Sequence, residues 1–166
     1  MAELTNLETK LGEVIGLAMA ARAASKKISK LVEKEGDHDD LVATLKTMAG
    51  EAQQAERRGT QVAGQFKGKK SAILEEARTV KGKASDMMST YLDDHADALD
   101  GFEFLTMAEA SEVGHWSVLG KMNQKARNAG VKELVAAQLP IQKRHLRDAM
   151  AGSLQLAADE DPHETS

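Results

Sequence analysis

Apolar residues recur every three or four positions along almost the whole of this chain, and this spacing limits the possible folds more than any other feature of the sequence. The spacing predicts five amphipathic helices, at about 5–35, 40–66, 71–93, 96–128 and 131–157. No segment shows the alternation of apolar and polar residues that is typical of a half-buried strand. The sequence therefore predicts an all-α protein.

The lengths of the connections predict how these helices are arranged. Short turns join the first helix to the second and the fourth helix to the fifth, so each pair is expected to form an antiparallel hairpin. The segment 71–93 spans roughly 35 Å at 1.5 Å per residue, enough to return the chain along the bundle between the two hairpins. With this crossover, the second and fourth helices should run parallel. We predict one bundle domain over 1–158, followed by a disordered acidic tail over 159–166.

The composition excludes several classes of function. The chain has no cysteine, which rules out disulfides, thiolate metal sites and cysteine nucleophiles. Its formal charge of −4 provides no overall attraction to nucleic acid or to anionic membranes. The N-terminus lacks the features of a secretory signal, and the longest apolar run, at 14–21, is too short to cross a membrane. We therefore expect a soluble cytoplasmic protein.

Basic residues surround the crossover segment 71–93 and raise the alternative of nucleic-acid binding; they are Lys67, Lys69, Lys70, Arg78, Lys81 and Lys83. Glu75 and Glu76 interrupt this cluster, and no aromatic side chains lie between its members. The favoured interpretation is a solvated helix face, and nucleic-acid binding is the less favoured one.

The middle of the first helix is apolar on every side, whereas a helix at the edge of one bundle needs only one apolar face. Ile15, Leu17, Met19 and Ala20 flank the stripe that should face the core. Because a single small bundle is not expected to cover this second face, we predict that it binds a second copy of the chain. The sequence thus predicts a homodimer.

Two polar pairs interrupt the apolar stripes of the last two helices. Glu112 and His115 are three residues apart in the fourth helix, and Gln142 and His145 have the same spacing in the fifth. Residues three apart lie on one helix face, so an oxygen ligand and an imidazole can converge there. We predict that these four side chains form one cluster in the core, where each needs a polar partner or a metal ion.

The first two helices each offer a carboxylate to this cluster, Glu13 and Glu51. Glu109 is a further inward-facing acid, one turn before Glu112. One interpretation is a site for iron or manganese, with carboxylate and imidazole ligands; its candidate ligands are Glu13, Glu51, Glu112, His115, Gln142 and His145. The alternative is a metal-free structural or interaction module, in which the same residues form a buried hydrogen-bond network.

The segments 104–116 (FLTMAEASEVGHW) and 139–146 (LPIQKRHL) resemble bacterial ferritin-like proteins, in particular the stress-associated ferritin-like metal-binding type. The resemblance implies a ferritin-like up-down four-helix bundle with an additional crossover helix. It also implies a di-iron or di-manganese centre with Glu112, His115 and His145 as ligands, and oxidation of Fe(II) if the metal is redox-active. Gln142 stands where such proteins have glutamate, and no histidine lies near Glu51 on the second helix.

Overall fold

The computed structural model describes residues 2–165, so Met1 of the predicted domain and Ser166 of the predicted tail lie outside it. Within these residues the chain forms five helices and no strand: α1 (Asn6–Glu35), α2 (Asp39–Ala63), α3 (Lys70–Tyr91), α4 (Ala98–Ala126) and α5 (Ala129–Ala157). The predicted all-α class and all five predicted helices are confirmed. The bounds differ by a few residues, as expected of helix ends.

Local sequence sets where three of these helices begin. Thr5 caps α1 through a reciprocal pair of hydrogen bonds with Glu8, and Asp97 caps α4 in the same way with Asp100. The side chain of Asn128 accepts a hydrogen bond from the third residue of α5. Each cap satisfies backbone N–H groups that have no partner inside the helix.

Four helices form a ring in which α1 packs on α2 and α4, and α5 packs on the same two helices. The connection 36–38 turns α2 back along α1. Along α1 and α4, Ile28 lies beside Gly101 whereas Glu13 lies beside His115, so these two helices are antiparallel. Since α2 and α4 both run antiparallel to α1, they run parallel to each other, as the crossover predicts.

The crossover helix α3 lies outside this ring, against α1. A Cβ atom added to Gly12 would lie 2.7 Å from the carbonyl oxygen of Ile73, and one added to Gly16 would clash with the backbone of Ala77. Only glycine allows two helix backbones to approach so closely. The two contacts follow one another in the same order along α1 and along α3, so these helices are parallel.

This packing changes the interpretation of the second apolar face of α1. Ile15 is fully buried within the chain, and Leu17, Met19 and Ala20 are partly buried. Part of the apolar surface of α1 is covered within the chain, by α3 at Gly12 and Gly16 and by α2 where Gly59 lies against Ile15. The homodimer stays a prediction.

The core consists of two apolar halves separated by a polar layer. On α4, one half contains Trp116 and Leu119, and the other contains Phe102 and Leu105. Five of the buried polar residues lie between these halves along α4 and α5; they are Glu109, Glu112, Gln138, Gln142 and His145. We call these five residues the polar layer.

The chain continues beyond α5 as exposed turns over 158–165, and the disorder predicted for 159–166 stays a prediction. Among the described residues, no helix contains a stretch that is both long and apolar enough to span a membrane.

Candidate functional site

The polar layer is buried almost completely, with no member more than 6% exposed. Helical spacing explains why these side chains point inward. Glu109 follows the core residue Leu105 by four positions, and Gln138, Gln142 and His145 follow one another by four and three. The layer therefore occupies the positions where the core stripes of α4 and α5 meet.

The ring of His145 lies between two carboxylates from different helices. Its Nδ1 atom is 3.6 Å from Oε2 of Glu109 on α4, and its Nε2 atom is 3.5 Å from Oε2 of Glu51 on α2. Both distances exceed that of a good hydrogen bond, and among the described residues the buried Nε2 atom has no hydrogen-bond partner. His145 thus links α5 to both of its neighbours.

Two further side chains of α5 complete this network. The amide nitrogen of Gln142 donates a hydrogen bond to the Glu109 oxygen that faces His145. The guanidinium of Arg144 donates a hydrogen bond to the Glu51 oxygen that faces the other side of the ring. Because Glu51 is only partly buried and Arg144 is 41% exposed, the network runs from the core to the surface between α2 and α5.

Glu112 belongs to the polar layer but lies outside this network. Its burial raises the pKa of its carboxyl group well above the ordinary value of 4.5, and the nearby charge of Glu109 raises it further. The indole N–H of Trp116, on the same face of α4, acts as a hydrogen-bond donor to this carboxyl group and opposes the rise in pKa to a smaller extent. The balance favours a neutral Glu112, because an isolated carboxylate is costly to bury.

His115 is not part of the polar layer, and the prediction of one four-residue cluster is wrong in this respect. Its Nδ1 atom is 3.1 Å from Oε2 of Glu13 on α1 and 3.5 Å from the amine of Lys10, which also pairs with Glu13. The His115 side chain is 36% exposed. At 100° per residue, His115 is rotated by about 120° around α4 from Glu109, toward α1 and away from the layer.

The six predicted ligands therefore fall into separate groups. The structure brings Glu51, Gln142 and His145 together around Glu109, and it brings Glu13 together with His115 elsewhere. Glu112 stands apart from both groups. Within residues 2–165, no three histidine, aspartate or glutamate side chains are arranged so that they could hold one metal ion.

Sequence reasoning noted Glu109 as an inward-facing acid but did not include it among the ligands, although it is the centre of the observed network. Its position four residues after a core leucine was the available signal. Gln138, one helical turn before Gln142, was missed although the same spacing reveals it. Arg144 and Lys10 carried no signal, since both lie beside the core stripes and find their partners only through packing.

No family model, curated protein or solved structure matches this chain. Its function must therefore be inferred from the chemistry of its own residues.

Proposed function

We propose that this protein is a structural or interaction module, a helical bundle whose polar layer holds its two hairpins in register without a metal ion. The observation that carries the proposal is the position of His145, whose two ring nitrogens face carboxylates on two different helices. These helices, α2 and α4, make no close contact with each other within the described residues. One side chain therefore connects three helices.

The network favours one register of the hairpins over others. The cost of burying Glu109 and His145 is partly offset where Gln142 and the facing carboxylates are in place, because sliding one helix by a turn would remove these partners as well. Apolar side chains alone tolerate such shifts at lower cost. A buried polar network can thus select one arrangement of the helices even when it adds little net stability.

The same geometry argues against a shared metal ion in this arrangement. Glu51 and Glu109 lie against opposite nitrogens of the His145 ring, so one ion cannot contact the ring and both carboxylates together. Binding would require His145 to turn away from one of its partners. At the second group, the amine of Lys10 lies beside both Glu13 and His115, and its positive charge would oppose the binding of a cation.

A ferritin-like protein that binds iron or manganese is the second candidate, and one observation favours it. Each of the two histidines pairs with a glutamate from the first hairpin, His115 with Glu13 and His145 with Glu51. Carboxylate–histidine pairs contributed by different helices are also the elements of metal centres inside helical bundles. A change of side-chain rotamers would be needed to bring them onto one site.

Metal analysis of the protein separates the two candidates. The protein would be purified without chelator, incubated with Fe(II) or Mn(II) under anaerobic conditions, and passed through a desalting column. We expect substoichiometric metal and no increase in the melting temperature on adding either ion, since nothing would bind the folded state preferentially.

Variants make this experiment decisive. Stoichiometric metal that is lost in both His145→Ala and Glu51→Gln, and retained in the exposed control Glu103→Gln, would overturn the metal-free proposal in favour of the ferritin-like one. The predicted homodimer and cytoplasmic location would be tested separately, by light scattering and by cell fractionation.

A further inference from the structure

A cavity of about 270 Å³ lies between α1, α3 and α4, apart from the network around His145. Small and apolar side chains form most of its wall, among them Ala20, Ala24, Ala84, Met88, Phe104 and Ala108. Its rim includes Met87 and Met107, which are 51% and 40% exposed. The cavity is therefore open to molecules from solution.

The way α3 packs explains why this space exists. The buried residues of α3, Ile73 and Ala77, both lie in its first half, where glycines of α1 let the backbones approach. The second half of α3 has no buried residue. There the part of the cavity wall that α1 contributes is Leu17 with three alanines, Ala20, Ala21 and Ala24, whose short side chains leave space beneath α3.

Among residues 2–165, Glu112 is the only ionisable side chain that lines the cavity, and Ser85 and Ser111 contribute the other polar side chains of its wall. Glu112 is 3% exposed, and the indole N–H of Trp116 lies close enough to its carboxyl group to lower the pKa of that group as a hydrogen-bond donor. An indole offers a donor and no acceptor, so it leaves the O–H of a neutral carboxyl group without a partner among the described residues. Because Glu112 lines the cavity, a ligand there can be that partner.

We propose that this cavity binds a small apolar carbonyl compound, whose oxygen accepts a hydrogen bond from the carboxyl group of Glu112. An apolar wall with a single placed polar group is the usual composition of a small-molecule site. The volume is slightly below the roughly 300 Å³ at which pockets for drug-sized ligands begin, which limits the ligand to a smaller molecule.

The surroundings of Glu112 decide between a hydrogen-bond acceptor and a cation as the ligand. A carboxyl group in an apolar wall, close to the acid Glu109, is favoured in its neutral form. A neutral carboxyl group carries one O–H donor, which a carbonyl oxygen can accept. An ammonium ligand would instead require a buried carboxylate and would lose its own hydration in an apolar cavity.

Three probes of similar shape test this assignment: acetophenone, ethylbenzene and 1-phenylethylamine, each titrated onto the full-length protein and followed by NMR. Acetophenone has the carbonyl oxygen, ethylbenzene lacks it, and the amine is cationic. We expect acetophenone to bind about tenfold more tightly than ethylbenzene, the value of one buried hydrogen bond, and the amine to bind more weakly than both.

Variants locate the binding. Glu112→Leu should abolish the preference for acetophenone over ethylbenzene, whereas Glu112→Gln, which keeps a neutral donor, should retain it. Ala108→Leu should fill the cavity and prevent binding of every probe, and Ala110→Leu, at an exposed position of the same helix, should leave binding unchanged. Ser111→Leu provides a second blocking variant at the exposed edge of the cavity, in case Ala108→Leu does not fold.

Three results would overturn the proposal. They are the absence of binding of any probe to the unchanged protein, equal binding of acetophenone and ethylbenzene, and tighter binding of the amine. The last result would identify a site for cations. A preference for acetophenone that survives in Glu112→Leu would also contradict it, because the donor would then lie elsewhere.

Discussion

The two histidine–glutamate pairs of this bundle have the same chemical groups in different surroundings. His115 pairs with Glu13 at 3.1 Å, where its side chain is 36% exposed and Lys10 lies beside it. His145 lies between Glu51 and Glu109, and its side chain is 4% exposed. Both histidines come from the same three-residue spacing in the sequence, so the spacing alone does not determine what a histidine does.

Burial determines how much each pair contributes to the free energy of unfolding. A partly exposed pair such as that of His115 and Glu13 gains less, because water still reaches both side chains. A buried group that loses its partner has no such replacement, and the whole cost of desolvation remains. The pair at His145 should therefore be important for folding and the pair at His115 should be nearly dispensable.

The largest difference is expected between two matched substitutions. His145→Ala should lower the free energy of unfolding by about 3 kcal/mol, because Glu51 and Glu109 lose the group between them. His115→Ala should change it by no more than about 0.5 kcal/mol. Urea unfolding of both variants at neutral pH, monitored by circular dichroism, measures the two values. Equal losses would contradict the contrast between the two pairs.

Gln142→Glu tests the polarity of the buried network. The substitution replaces the amide donor to Glu109 with a second acid, so we expect a loss of about 2 kcal/mol at neutral pH. Gln54→Glu, at an exposed position of α2, is the control and should have little effect. If Fe(II) or Mn(II) instead stabilises the Gln142→Glu variant, the buried residues around Glu109 form a metal site rather than a metal-free network.

Glu112→Gln should alter the pH dependence of stability. The folded state raises the pKa of Glu112 above 4.5, so it retains this proton to a higher pH than the unfolded chain does. The stability of the unchanged protein should therefore fall as the pH rises above 4.5 toward the folded-state pKa. Glu112→Gln has no proton to lose at this position. It should not be more stable than the unchanged protein in acid, and its stability relative to the unchanged protein should increase as the pH rises through this range.

Thermal unfolding across this pH range measures the effect, with Glu103→Gln at an exposed position of α4 as the control. Parallel pH profiles of the Glu112 variant and the unchanged protein would mean that Glu112 does not titrate differently in the folded state.

The smallest effect is expected for Glu13→Gln. Glu13 pairs with Lys10 and His115, and water reaches all three side chains in part, so its loss should cost no more than about 0.5 kcal/mol, and added salt should reduce that cost further. Urea unfolding at low and high ionic strength tests both statements. A salt-independent loss comparable with that of His145→Ala would mean that the two pairs are equivalent after all.

Much of this architecture could be predicted from spacing. The positions of Glu112, Gln142 and His145 within apolar stripes correctly predicted that all three are buried. The long segment between the hairpins correctly predicted that α2 and α4 run parallel. The centre of the network, Glu109, was recognisable as inward-facing, but nothing in its own helix indicated that it would be the residue that contacts both Gln142 and His145.

The remaining features depend on contacts between residues distant in the chain. That α3 packs along α1 follows from the close approach at Gly12 and Gly16 to the backbone of Ile73 and Ala77. Each of these residues looks ordinary within its own segment. The sequence also did not indicate that α3 would cover part of the apolar surface of α1, because an apolar face in a sequence does not identify the surface that packs on it.

The sequence by itself determined that the chain forms five helices, and which residues of each helix share a face, because a rotation of 100° per residue is a local property of the backbone. Only the tertiary structure decided that His145 meets Glu51 and Glu109 while His115 meets Glu13. Those contacts depend on how far each helix is rotated about its own axis when it packs. Close contacts such as that between Gly152 and the ring of Phe102 set this rotation, and they join residues far apart in the chain.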